Sequence, residues 1–152
     1  MKIEPYSAGM LSPARPAARL KQVLSAVTDR QVAQWQTKLA GLGLREKLEA
    51  LKGFYFENDP YTQVVEDADG LWLIEQNCPF LNLVMERPAL CSVTVSTLSR
   101  LLGVVVKREK RFQSGDSRCA FHILADQPLR AGFRFTLEDS REAERAGQSV
   151  AT

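Results

Sequence analysis

The chain has 152 residues and a mass of 17.0 kDa, with 45% hydrophobic and 25% charged residues, a net charge of +2 and three cysteines. This composition fits one domain with a real core and excludes collagenous, mucin-like or wholly disordered chains, which bury too little apolar surface to fold. No run approaches the roughly 18 apolar residues of a membrane span, the N-terminus lacks the apolar core of a signal peptide, and an odd cysteine count suits a reducing cytoplasm.

Residues 1–16 hold three prolines and no apolar periodicity, and are expected to form a flexible leader. From Ala17 to about Leu42, Leu20, Val23, Leu24, Val27, Val32, Trp35, Leu39 and Leu42 recur mostly at helical spacing. Gly41 and Gly43 end this long amphipathic helix. Its stripe is suited either to a partner helix or to its own domain. Leu44 to Phe56 reads as a second helix, stopped at Asn58-Asp59-Pro60. Two apolar runs, Tyr61 to Glu66 and Leu71 to Glu75, flank Asp67-Ala68-Asp69-Gly70 and predict a hairpin. A short apolar segment follows Cys78-Pro79-Phe80, and Leu90 to Leu102 predicts a helix closed by Gly103. Val104 to Phe112 and Arg118 to Leu124 predict a second hairpin around Gln113-Ser114-Gly115-Asp116. Residues 125–152 are apolar-poor and are expected to be a mobile tail, with at most a short strand over 132–137. Helices and hairpins without strand–helix–strand alternation give an α+β fold with a small antiparallel sheet.

Charge is segregated along this layout. Residues 1–47 carry eight basic and three acidic side chains, 48–103 three and eight, and 104–124 five and two. The basic run Lys107-Arg108-Glu109-Lys110-Arg111 falls on both faces of a strand and reads as a solvated hairpin, so no nucleic-acid-binding residue is assigned.

Enzyme signatures are lacking: there is no G-x-G-x-x-G, P-loop, H-E-x-x-H or G-x-S-x-G, and His122 is the single histidine. The expectation is a protein that is not an enzyme. The cysteines are the sharper feature. Cys78, Cys91 and Cys119 lack the paired spacing of a structural zinc site and are compatible with ordinary core thiols. Each nonetheless stands at an element boundary, where chain ends can converge, and a helix start at Cys91 would favour a thiolate.

The run Leu73-Ile74-Glu75-Gln76-Asn77-Cys78-Pro79-Phe80, then Pro88-Ala89-Leu90-Cys91, then Gly115-Asp116-Ser117-Arg118-Cys119-Ala120-Phe121-His122-Ile123 resembles the sensor domain of SufR-like regulators. These are winged-helix transcription factors, related to the ArsR and DeoR groups, that control iron–sulfur cluster assembly genes. The resemblance covers about residues 30–124. It implies Cys78, Cys91 and Cys119 as ligands of a 4Fe–4S cluster whose occupancy sets affinity for DNA. Three thiolates leave one iron to another ligand. Glu75 and His122 are candidates for it, although strand alternation puts His122 and Cys119 on opposite faces.

The family places a winged helix of some eighty residues before its sensor, whereas about forty precede the match here. Residues 17–43 therefore resemble the linker helix through which such regulators dimerise, and 44–124 the sensor itself. The expectation is a cytoplasmic homodimer, paired through residues 17–42, that regulates transcription and reaches DNA only indirectly or through a missing or separate winged helix. Two other readings stay open. One is a small-molecule sensor with an apolar pocket of Tyr55, Phe56, Trp72, Phe80 and Phe121; the other is a zinc-stabilised domain.

Overall fold

The computed structural model describes residues 16–57, 59–78, 81–110 and 118–137. The leader before residue 16, Asn58, Phe80, Arg111, the turn at 113–116 and the tail beyond 137 lie outside the described residues. In chain order the elements are α1 (Pro16–Leu39), α2 (Leu44–Phe54), β1 (Gln63–Asp67), β2 (Gly70–Glu75), α3 (Leu81–Glu86), a 3-10 turn (Pro88–Leu90), α4 (Cys91–Leu102), β3 (Val104–Lys110) and β4 (Cys119–Pro128). The fold is α+β. Among the described residues no helix is long and apolar enough to cross a membrane.

The strands form one antiparallel sheet in the order β1-β2-β4-β3. The two hairpins therefore join through β2 and β4, with Leu73 opposite Phe121 and Glu75 opposite Cys119. Period-two alternation sorts the side chains. Leu73, Phe121, Ile123 and Val106 share the inner face and bury against Leu48 and Leu51 of α2 and Leu98 of α4. Trp72 and His122 take the outer face. Gly70 opens β2 with φ +125°, where a side chain is strained. A Cβ there would also stand 3.1 Å from His122 Nε2.

The stripe of α1 is divided. Leu24, Thr28, Val32 and Leu39 are buried, while Leu20, Val23 and Val27 are exposed at 37%, 59% and 37%. The stripe thus packs partly within the chain and stays partly exposed toward its N-terminal end. The helix ends at Leu39, a few residues before the expected limit at Leu42, and Gly41 follows with φ +79°.

The expected tail requires correction between 125 and 137. Strand β4 continues to Pro128, since β3 offers paired positions as far as Val104 opposite Pro128. Beyond it, Phe135 is buried against Leu24 and Ala89. Thr136 N–H donates to Ser96 Oγ at 3.3 Å, and Asp29 of α1 bonds both Arg100 and Arg134. No strand forms over 132–137: that segment is irregular and is held by side chains instead.

Candidate functional site

A cavity of about 580 Å³ lies between α1, the end of α2, the α3–α4 connection and the inner face of the sheet. Cys78, Cys91 and Cys119 all line it. They reach it from three different elements. Cys119 opens β4 and is 3% exposed; Cys91 opens α4; Cys78 lies in the chain leaving β2, and its carbonyl accepts the Leu81 N–H at 3.2 Å as α3 begins. The three cysteines carry no disulfide.

Cys91 is not at a bare helix start. The 3-10 turn runs directly into α4, and the Cys91 N–H already donates to Pro88 and Ala89 carbonyls.

A polar end adjoins the thiols. Glu75 pairs with Cys119 across β2 and β4, and Arg108 pairs with Phe121 across β3 and β4; all four line the cavity. Burial pushes the Glu75 carboxyl up to about 7, the nearby Asp59 charge adds to the rise, and Arg108 opposes it. Burial likewise raises Tyr55, with hydrogen bonds to Thr94 and Thr97 acting the other way. Asp59, 3% exposed, accepts three backbone N–H bonds: from Tyr61 at 3.1 Å, Gln76 at 2.6 Å and Asn77 at 2.9 Å.

Of the expected pocket residues, Tyr55, Phe56 and Phe121 line the cavity. Trp72 does not. It sits on the outer sheet face, stacked on His122 at 4.2 Å between ring centroids. His122 bonds the Asp69 carbonyl through Nε2 at 2.9 Å, and its Nδ1 lies 3.5 Å from Glu109. His122 is thus kept apart from the thiols by the sheet, while Glu75 shares their cavity.

Sequence reasoning missed Asp59 and Arg108. Asp59 reads as a helix stop beside proline, and Arg108 as one charge of a solvated run. The signal for Arg108 was the same alternation that separated His122: Val106 and Arg108 share a face, and both are buried, at 5% and 4% exposure. The bond from Tyr61 is local, but the two that tie Asp59 to the cysteine segment come from residues 17 and 18 positions away, which no local pattern marks.

Among the described residues no three His, Cys, Asp or Glu side chains stand close enough to hold a single metal ion. A four-iron cluster places its thiolates on different iron atoms, so its ligands stand further apart than those of one ion. Three thiols lining one cavity supply the donor type that such a cluster takes. Compared with protein-family models, curated proteins and solved structures, the chain matches none.

Proposed function

We propose that this chain is an iron–sulfur sensor domain of the SufR-like type, holding a 4Fe–4S cluster through Cys78, Cys91 and Cys119. One observation carries the reading: cysteines with twelve and twenty-seven residues between them line a single cavity. Random core thiols have no reason to converge. The cluster would supply a group labile to oxygen and iron supply, and Glu75 is the better-placed of the two non-cysteine donors. The exposed half of the α1 stripe suits pairing of two copies. In the cytoplasm, such a dimer would regulate transcription through a winged helix or a DNA-binding partner.

Anaerobic reconstitution with iron and sulfide should load about four irons per chain and give broad visible absorption. Cys91→Ala should abolish both. A Cys91→Ala protein that keeps the same cluster would falsify the ligand assignment.

A second reading rests on the size and lining of the cavity. About 580 Å³, walled by Val23, Val27, Leu83 and Val93, is the scale of a small-molecule site. In that case anaerobically purified protein contains no iron, and the metal-free chain binds an apolar probe tightly. A zinc-stabilised domain would instead show stoichiometric zinc and unfold with chelator.

A further inference from the structure

We infer that Asp59 is a positioning residue for Cys78, fixing the chain that brings this thiol into the cavity shared with Cys91 and Cys119. The inference rests on the cysteine cavity read above as the functional site. The last ladder pair of β2 is Glu75 with Cys119. Gln76 and Asn77 follow it, beyond the sheet, so the β2–β4 ladder does not satisfy their N–H groups. Asp59 Oδ2 accepts both, at 2.6 and 2.9 Å, while Oδ1 accepts from Tyr61.

The arrangement solves two problems at once. A carboxylate at 3% exposure is costly unless hydrogen-bonded, and charge-assisted bonds to backbone amides are among the strong ones. Asp59 is itself anchored: its N–H donates to Phe56 O at 2.9 Å, and its carbonyl accepts from Thr62 at 3.1 Å. The carboxylate therefore ties the α2–β1 connection to the β2–α3 connection, one residue before Cys78. On the other side, the bond from Leu81 N–H to Cys78 O starts α3.

The three thiols differ in this respect. Cys91 is held by α4 and Cys119 by the β2–β4 ladder. Cys78 lies beyond the strand and directly follows the two amides that the distant Asp59 side chain binds. Loss of Asp59 should therefore release one thiol and leave two in place, which general loosening of the fold would not do.

The test uses the reduced, metal-free full chain and iodoacetamide, with the alkylation rate of each cysteine read by mass spectrometry. Asp59→Ala should change the Cys78 rate by about tenfold or more, the scale of a lost charge-assisted bond, with Cys91 and Cys119 little altered. Asp59→Asn should be intermediate, because its amide oxygen can still accept from Gln76 and Asn77 while its NH2 cannot accept from Tyr61. An unchanged Cys78 rate overturns the inference, and so does an equal acceleration of all three. Should Asp59→Ala not fold, the Asn variant decides by its Cys78 labelling rate relative to Cys91 and Cys119, and a ratio equal to wild type overturns the inference. Labelling needs no metal. A wild-type chain that takes up no cluster refutes the cluster reading, and the labelling ratio still decides the role of Asp59.

Discussion

Glu75 shows how one side chain links packing to pH. Its carboxyl is shifted up to about 7 because burial penalises the charged form and Asp59 adds negative potential, with Arg108 opposing. In the unfolded chain the same group titrates near its ordinary value of about 4.3. The folded value is the higher one. The stabilising contribution is thus present in full below the unfolded value and is lost as pH rises through 7. Glu75→Gln removes this dependence. At pH 8 the variant should be more stable than wild type by about 2–3 kcal/mol, from about 1.4 kcal/mol per unit discounted for residual exposure. At pH 4 the two should nearly coincide. Urea unfolding at both pH values checks this, and an equal difference at the two would refute the burial argument.

At the scale of elements, the segment after β4 carries the clearest lesson. Residues 129–137 form no regular structure, yet Phe135 packs on Leu24 and Ala89 between α1 and the start of α4. Asp29 draws Arg100 and Arg134 together above this contact. Its carboxyl is held below the ordinary range, chiefly by the Arg100 hydrogen bond, with burial opposing and Arg134 assisting. Leu24 and Leu90 belong both to this packing and to the cavity wall, so the segment backs the site. Phe135→Ala should cost about 3 kcal/mol, at the low end for a buried phenylalanine because its cluster is small. Chemical denaturation measures it; a loss below about 1 kcal/mol, the scale of an ordinary surface change, would mean the segment does not brace the cavity.

For the whole molecule, the main core gathers on the inner face of the sheet, while Leu20, Val23 and Val27 stay exposed on α1. Val23 and Val27 also line the cavity, together with Leu83 of α3, which is 53% exposed. A second copy docked along α1 would cover this apolar rim. Sedimentation of the full chain should show a dimer, and Val23→Asp with Val27→Asp should shift it toward monomer, because unpaired charges in an apolar interface are costly. A wild-type monomer at high concentration would sink the proposal.

Local periodicity carried much of the architecture. The helical spacing of Leu20 to Leu39, the turn at Asp67 to Gly70 and the stop at Gly103 were enough for an α+β fold with two hairpins, because these features depend on residues close in sequence. The same alternation separated His122 from Cys119, and applied to β2 it would have removed Trp72 from the pocket. Other features depended on long-range pairing. The joining of the hairpins through β2 and β4 set Glu75 beside Cys119. The bonds from Asp59 to amides 17 and 18 residues away, and the burial of Phe135 on α1, likewise required the folded chain. Sequence by itself determined which residues could act: three thiols at element ends, and a carboxyl nearby. The tertiary structure alone decided that the thiols share one cavity, because that depends on how elements pack rather than on how any one of them forms.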